Sequence, residues 1–270
     1  MTGWRTMSTI ETAQRPGDRT TEDLFLGGAL KIRQPRNGYR AGTDAVLLAA
    51  LIGSDPTGPI LDAGAGVGVV GLCVAARFPK ASVVLVEREP HLAALARRNV
   101  DDNGLTARVQ VIEADIMRAS EALRRDGIKS ETFATVLANP PYHDDRRSTA
   151  AESRLKAVSH QMPEEEFDAW ARFMCRMAAP GGRAAMIHKA EALPRILAAF
   201  EGRFGAIGLL PIHARAGEPA IRVIVDGIKG SRAPLSMKSG LVLHGPDQGF
   251  VPEFDGVFRR GAALPVQSGG

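Results

Sequence analysis

The chain has 270 residues, 44% of them hydrophobic, and 34 basic against 30 acidic residues give it a net charge of +4. This length and composition predict one large α/β domain whose core needs neither a disulfide nor a metal for stability. The two cysteines, Cys73 and Cys175, lie far apart in separate apolar runs, so we expect reduced thiols, a cytoplasmic protein and no metal site.

The chain begins with a polar segment that lacks the apolar stretch of a secretory signal. No run of about 18 apolar residues occurs anywhere, so we expect no membrane span. Residues 1–22 are predicted to be a disordered tail, residues 23–258 the folded domain and residues 259–270 a flexible C-terminal tail. The basic balance is compatible with an anionic macromolecule as partner but does not require one.

The elements follow in an order that indicates the fold class. Residues 24–52 are predicted to form a short strand or hairpin, a loop and a helix from Thr43. Apolar strand-like runs then alternate with helical patterns, which predicts a parallel sheet with helices on both faces. The last two apolar runs, residues 205–212 and 221–228, are joined by a loop too short for a crossover helix and must be antiparallel. We therefore expect a Rossmann-like, seven-stranded, mostly parallel sheet that ends in an antiparallel hairpin. The core strands are predicted at residues 59–62, 82–87, 109–113, 133–138 and 183–188, and the helices at residues 69–77, 90–103, 117–125 and 164–177.

Three alternating glycines follow the first core strand, at Gly64, Gly66 and Gly68. Glycine lets the backbone approach a ligand closely, and the helix that follows presents unpaired N–H groups to it. Residues 66–71 also satisfy the GxGxxG pattern of dinucleotide-binding loops. However, Asp62 interrupts the strand before the first glycine, and the chain has no hydride-transfer constellation. Asp62 suits a cofactor with a positively charged amino-acid moiety, which S-adenosylmethionine has and NAD lacks.

Two further acids follow the next strands. Glu87 comes nineteen residues after Gly68 and ends its strand, where a carboxylate can accept both hydroxyls of a ribose. Asp115 follows the third core strand, where it could accept from an adenine amino group with Ile116 as an apolar wall. The alternative for Asp115 is an ordinary helix cap. Together with the glycine turn, these acids predict a site for S-adenosylmethionine.

The tetrapeptide Asn139-Pro140-Pro141-Tyr142 emerges from the fourth core strand, at the edge where open α/β sheets bind ligands. The side-chain oxygen of Asn139 and the carbonyl of Pro140 can each accept one N–H of a planar amine and so aim its nitrogen at a methyl donor. The prolines fix the backbone and remove competing N–H donors. Tyr142 offers a face on which a base can stack. We assign these four residues to catalysis and expect Asn139 to border the cofactor as well. The alternative is a proline turn with a buried tyrosine.

These motifs, on this arrangement of strands, resemble the class I S-adenosylmethionine-dependent methyltransferases with an NPPY motif, which act on amino groups of adenine, guanine or protein glutamine. The upstream segment around Lys31–Pro35 and Gly38–Leu48 is similar to the N-terminal signature of the bacterial tRNA1(Val) adenine-37 N6-methyltransferases. The resemblance covers roughly residues 24–243. It implies that this segment closes over the cofactor, with Gln34, Tyr39, Arg40 and Thr43 as contacts; the alternative is a structural cap on the sheet. Residues 143–147 and 211–219 depart from the pattern of the family.

Basic residues near the tetrapeptide and beyond the hairpin are candidates for RNA contacts. Phosphates would be held by such side chains beside the target pocket, although ordinary solvated charge is the alternative reading. His143 and His160 are candidate acids or bases, but a lone histidine near a pocket is more often a packing residue. The basic candidates are Arg146, Arg147, Arg154 and Lys156 after the tetrapeptide and Lys229, Arg232 and Lys238 after the hairpin.

The resulting hypothesis is an S-adenosylmethionine-dependent enzyme that methylates the exocyclic amino group of an RNA base, with adenine N6 in tRNA favoured. Methylation of rRNA guanine N2, DNA adenine, a small molecule or protein glutamine remains open, as does a non-catalytic factor that binds the cofactor and RNA. Glutamine methyltransferases of this type carry a separate N-terminal helical domain, whereas only about forty residues precede the signature here. A structured RNA that presents one unstacked base fits the low aromatic content of 5%.

Overall fold

The computed structural model describes residues 20–36, 40–118, 120–141, 164–247 and 249–265. It begins with an antiparallel hairpin of β1 (Thr20–Phe25) and β2 (Leu30–Pro35), followed by α1 (Thr43–Ala50). In β2, buried and more exposed residues alternate, as expected for a strand with one covered face. This part confirms the hairpin and the helix from Thr43 that the sequence predicts.

A nine-stranded sheet forms the body of the described domain. Its strands are β3 (Ile60–Ala63), β4 (Val83–Glu87), β5 (Val109–Glu113), β6 (Phe133–Ala138), β7 (Ala178–Lys189), β8 (Phe204–His213), β9 (Ala220–Lys229), β10 (Ser236–Met237) and β11 (Leu241–Val242). The helices that accompany them are α2 (Val69–Arg77), α3 (Pro90–Asp102), α4 (Ser120–Arg125), α5 (Glu164–Met177), α6 (Leu193–Phe200) and α7 (Pro252–Arg260).

The strand order places three strand ends side by side. The strands lie in the order β10–β8–β9–β7–β6–β3–β4–β5, and β11 also pairs with β8. β3 pairs in parallel with β4 on one side and with β6 on the other. β9 is antiparallel to both β7 and β8, which confirms the predicted hairpin. Because β3, β4 and β6 are parallel neighbours, the turns that follow them share the carboxyl edge of the sheet.

The two faces of the sheet carry separate apolar clusters, because side chains alternate along each strand. Leu137, Ile187 and Ile224 belong to the cluster that also contains the buried residues of α1, α2 and α3. Val136 and Met186 belong to the other cluster, which α5 and α6 cover. Both faces are thus closed by helices, as the alternating sequence pattern predicts.

Several details of the predicted elements are corrected. The sheet has nine strands instead of seven, because the two-residue strands β10 and β11 add to β8 in parallel and are too short to give a periodic pattern. Helices α6 and α7 were not anticipated. α4 begins at Ser120 and not at Met117, since Asp115 and Arg118 close a turn before it.

At both ends, the folded domain extends beyond the predicted bounds of residues 23–258. β1 starts at Thr20, which is paired with Pro35 and so is not part of a disordered tail. At the other end, α7 continues to Arg260, and the backbone N–H of Leu264 donates to the carbonyl of Ala50. Leu264 is buried against this surface. The described domain therefore includes residues 20–22 and 259–265.

No helix among the described residues is both long and apolar enough to cross a membrane. Within the same ranges, no group of three or more His, Cys, Asp or Glu side chains is arranged to hold a metal ion. Cys73 is buried and Cys175 is partly buried, and both are free thiols.

Candidate functional site

A cavity opens at the carboxyl edge of the sheet, where β3 and β6 end beside each other. Its empty space, counted together with the open solvent at its mouth, is about 410 Å³. Of the predicted site residues, the structure brings five together in its wall: Gln34, Asp62, Gly64, Gly66 and Asn139. The remaining lining residues are apolar: Ala41, Ala45, Ala65, Val67, Val69, Val70 and Leu92.

The three glycines of the turn have positive φ angles, but they differ in what surrounds them. A Cβ on Gly64 would lie 2.3 Å from Cη2 of Trp170, so this glycine is required by the indole that packs on it. A Cβ on Gly68 would meet the side chains of Leu85 and Leu72. Gly66, with φ +58°, has no atom within 4 Å of that position. Gly66 is therefore the glycine of this turn with open space at the position of a Cβ.

Asp62 is a buried carboxylate in the wall of the cavity. Its Oδ2 accepts a hydrogen bond of 2.9 Å from the backbone N–H of Gly71, at the start of α2. Burial raises the pKa of Asp62 to about 7; the Gly71 N–H opposes that rise and Glu87 adds to it. A cation placed in the cavity would compensate the buried carboxylate, so the site favours a ligand with a positively charged group.

Glu87 ends β4 and braces the glycine turn. Its Oε2 accepts from the N–H of Gly66 at 2.7 Å, and its Oε1 accepts from the N–H of Glu89 at 2.8 Å. The side chain is buried and is not among the residues that line the cavity. Each carboxylate oxygen can accept more than one hydrogen bond, so these two N–H groups do not exhaust the acceptors of Glu87.

Asp115 and Ile116 follow β5 but do not line the cavity in the described residues. Oδ1 of Asp115 accepts from the N–H of Met117 at 2.9 Å and so closes a turn. Because α4 begins only at Ser120, this bond is not the helix cap given above as the alternative. Ile116 is buried in the apolar cluster on the α5 side of the sheet. A contact of this pair with an adenine ring therefore stays a prediction.

Asn139 and Pro140 are buried where β6 ends, whereas Pro141 is exposed. Asn139 lines the same cavity as Asp62 and Gly66. Tyr142, the fourth residue of the motif, lies outside the described residues. The arrangement places a side-chain amide beside a cleft that has a carboxylate in its wall.

The N-terminal segment forms one side of the cavity through Gln34. Its Oε1 accepts from the N–H of Ala41, and its Nε2 donates to the carbonyl of Ala41 and to Oδ2 of Asp23. Arg40 donates to Asp23, to Oγ1 of Thr21 and to the carbonyl of Pro35, so its guanidinium braces the hairpin. Thr43 is exposed at the start of α1, and Tyr39 lies outside the described residues.

Two residues at this edge were missed by sequence reasoning. Trp170 lies on the buried face of α5 and covers the glycine turn. His188, near the end of β7, is buried and meets the ring of Phe167 edge to face at 5.1 Å. Burial lowers the pKa of His188 to about 4, helped by the cations Arg195, Lys189 and Arg222, so the imidazole is neutral at physiological pH. The apolar spacing of α5 signals a buried face but does not indicate which turn it covers.

The basic residues after the hairpin lie away from the cavity. Lys229 ends β9, which runs antiparallel to β7, so it lies at the amino edge of the sheet. There its Nζ donates to Oε1 of Glu131 and to the carbonyl of Ala178. Lys238 is 3.5 Å from Asp226. The expectation that these lysines hold RNA beside the target pocket is therefore wrong in its placement. The other basic candidates, Arg146, Arg147, Arg154 and Lys156, lie outside the described residues, as do His143 and His160.

Comparison with known proteins gives consistent matches. The family described as "Methyltransferase small domain" matches residues 40–164. The chain is 34% identical over 173 residues to the tRNA1(Val) (adenine(37)-N6)-methyltransferase of Porphyromonas gingivalis strain ATCC 33277, which covers 61% of this chain and 64% of that relative. It is 30% identical over 207 residues to the protein of the same name from Pedobacter heparinus, covering 76% of this chain and 83% of the relative. The chain thus spans a little under two thirds of the first relative.

Solved structures share the fold. A predicted O-methyltransferase from Agrobacterium tumefaciens superposes with a TM-score of 0.69 at 35% identity, over 82% of this chain and 98% of that chain. TYW2 of P. horikoshii, solved in complex with MeSAdo, superposes with a TM-score of 0.52 at 15% identity, over 79% of this chain and 73% of its own. The second likeness concerns the fold alone. These matches confirm the α/β sheet architecture predicted from the sequence.

Proposed function

The chain belongs to the family of the bacterial tRNA1(Val) (adenine(37)-N6)-methyltransferases, and from this premise we propose that it transfers a methyl group from S-adenosylmethionine to the exocyclic amino group of an adenine in tRNA. The observation that carries the proposal is the position of Asn139. Its amide, at the carboxyl end of β6, borders the same cavity as the carboxylate of Asp62 and the open side of Gly66. An acceptor for an amine and the features of a cofactor site are therefore joined in one cleft.

The residues in the wall of the cavity, together with Glu87 behind the glycine turn, fit S-adenosylmethionine. Asp62 would hold the cationic amino-acid end, because its buried carboxylate gains most from a positive neighbour. Glu87 would accept from the ribose hydroxyls at the end of β4. Gly66 has no side chain, so the cofactor could approach its backbone closely. When bound, the cofactor supplies an electrophilic methyl group on its sulfonium.

The chemistry at the acceptor rests on Asn139 and Pro140. An –NH₂ group has two N–H donors, and the amide oxygen of Asn139 and the carbonyl of Pro140 offer two acceptors for them. Accepting both hydrogens orients the nitrogen and stabilises the positive charge that develops on it. An alcohol has only one hydrogen to donate, so this pair of acceptors suits an amine better. We further propose that the target base stacks on the ring of Tyr142.

The tRNA substrate is favoured by the relatives, whose names give adenine 37 of tRNA1(Val). The cavity does not indicate which adenine is methylated. Position 37 enters the proposal only through the names of the relatives. A cytoplasmic location is the corresponding expectation.

The test is transfer of labelled methyl from S-adenosylmethionine to total tRNA, rRNA and a protein extract, each from cells that lack the gene. Label in tRNA, recovered as N6-methyladenosine after digestion, is the expected result. Label recovered only as methylglutamine in protein, as N2-methylguanine in rRNA or as a methylated hydroxyl would contradict the proposal. An Asn139→Ala protein serves as the control for contaminating activity.

A further inference from the structure

Asn99 is a fully buried polar residue on α3 that the proposed chemistry does not use. Its Oδ1 accepts a hydrogen bond of 2.8 Å from the N–H of Arg33, and its Nδ2 donates to the carbonyl of Arg33 at 3.1 Å. The same Nδ2 donates to the carbonyl of Val67 at 3.0 Å. One amide therefore joins α3, the strand β2 and the glycine turn.

Both partners of Asn99 are next to the cofactor cavity. Arg33 precedes Gln34 in β2, and Gln34 lines the cavity and holds Ala41 in its wall. Val67 lines the cavity itself, between Gly66 and Gly68. Arg33 and Val67 come from different segments of the chain, which α1 and β3 separate. The amide of Asn99 links the main chains of both.

We propose that Asn99 is a positioning residue of the cofactor site, which sets the separation between the N-terminal hairpin and the glycine turn. The inference rests on the proposed function, since it concerns binding of S-adenosylmethionine and its product. The three hydrogen bonds satisfy the amide in an environment closed to water, so its geometry is held rigidly. Loss of the bond to Val67 frees the turn to move away from β2 and lowers affinity without altering the groups that touch the cofactor.

Asn103, the residue that caps the C-terminus of α3 one helical turn after Asn99, provides a matched comparison. Its Oδ1 accepts from the N–H of Lys31 at 3.0 Å, and its Nδ2 donates to the carbonyl of Lys31 at 2.8 Å. It therefore makes the same pair of main-chain bonds to the same strand. These bonds to β2 and a further one to the carbonyl of Asn99 leave the glycine turn untouched. A substitution of Asn103 therefore tests the attachment of the hairpin without removing a bond to the glycine turn.

The experiment compares Asn99→Ala, Asn103→Ala and Val100→Ala in the full chain. Val100 is buried on the same helix, so its truncation controls for general destabilisation. For each protein we would measure the Kd of S-adenosylhomocysteine by calorimetry, the melting temperature, and the KM for S-adenosylmethionine and kcat with tRNA. Asn99→Ser, which keeps one hydroxyl donor and acceptor, replaces Asn99→Ala if the latter does not fold.

We expect Asn99→Ala to raise both Kd and KM for the cofactor by about tenfold, the size of one lost hydrogen bond, with kcat at saturation within about threefold. Asn103→Ala and Val100→Ala should lower the melting temperature while leaving Kd within about twofold. An Asn99→Ala or Asn99→Ser protein that binds the ligand as the wild type does would overturn the inference alone. A wild-type protein without measurable binding would overturn the proposed function, and the inference with it.

Discussion

The glycine turn after β3 and the Asn-Pro-Pro turn after β6 leave neighbouring strands at the same edge, yet they are held in different ways. The glycine turn takes its shape from side chains of other elements: Trp170 packs on Gly64, Glu87 accepts from Gly66, and Asn99 donates to Val67. The turn after β6 contains two prolines, whose rings fix the backbone covalently. In the proposed function, the cofactor is therefore bound by a turn that depends on long-range packing, and the chemistry takes place at a turn that its own prolines hold rigid.

The largest effect is expected for Asn139→Ala. Removing an acceptor that is used only as charge develops on the amine should lower kcat by about 10²–10³-fold or more, while the Kd of S-adenosylhomocysteine stays within a few-fold. Single-turnover methylation and calorimetry measure the two quantities. A comparable loss of cofactor affinity would break the division of roles between the two turns.

Glu87→Gln should have the reverse effect. Replacing the carboxylate weakens its hydrogen bond from Gly66 and the proposed bonds from the ribose hydroxyls, so the Kd for the cofactor should rise by about tenfold or more, with kcat at saturation little changed. Glu113 lies opposite Glu87 in the register of β4 and β5, and its carboxylate is exposed beside Arg97. Glu113→Gln is therefore the control and should bind the cofactor normally.

The pH dependence of binding tests the role of Asp62. Its pKa of about 7 in the free protein is above the unfolded value of about 3.9, so its contribution to stability is full below pH 4 and is lost as the pH rises through 7. A cationic ligand favours the ionised carboxylate, so affinity should fall by up to about tenfold per pH unit below pH 7. Titrations between pH 5.5 and 7.5 measure this slope. Asp62→Asn should be weaker throughout and flat, and a sloping Asp62→Asn titration would reject the assignment.

Two glycines of the same turn give a finer comparison. Gly64 and Gly66 have nearly equal φ angles of +61° and +58°, but only Gly64 is covered, by Trp170. Gly64→Ala should therefore lower the free energy of unfolding by about 1–3 kcal/mol more than Gly66→Ala. Gly66→Ala should instead reduce cofactor affinity. Denaturant unfolding and calorimetry measure both, and Trp170→Leu should restore part of the stability of Gly64→Ala.

The smallest effect is expected for Lys229→Ala. This lysine is paired with Glu131 at the edge opposite the cavity, so its removal should change the KM for tRNA by less than about twofold. A much larger rise in KM, with a reduced salt dependence, would show that RNA extends to the amino edge after all.

The carboxyl-edge turns were predictable because local chemistry specifies them. Gly64, Gly66 and Gly68 each adopt positive φ, and Asn139 follows a strand whose bounds, residues 133–138, were predicted without error. Contacts between distant segments were not predictable. Nothing in the spacing of α5 places Trp170 on Gly64, and nothing near Asn99 shows that its partners are Arg33 and Val67. The position of Lys229 was also not predictable. Because β9 runs antiparallel to β7, this lysine lies at the amino edge of the sheet and not beside the cavity, where the sequence analysis expected it.

The most direct test of the account is N6-methyladenosine in tRNA from cells lacking the gene, after incubation with S-adenosylmethionine and either the wild-type or the Asn139→Ala protein. We expect new N6-methyladenosine at a single tRNA position with the wild type, and none with Asn139→Ala although that protein still binds S-adenosylhomocysteine. Methylation of tRNA by Asn139→Ala at the wild-type rate would contradict the account, as would label from the wild type that appears on a different chemical group.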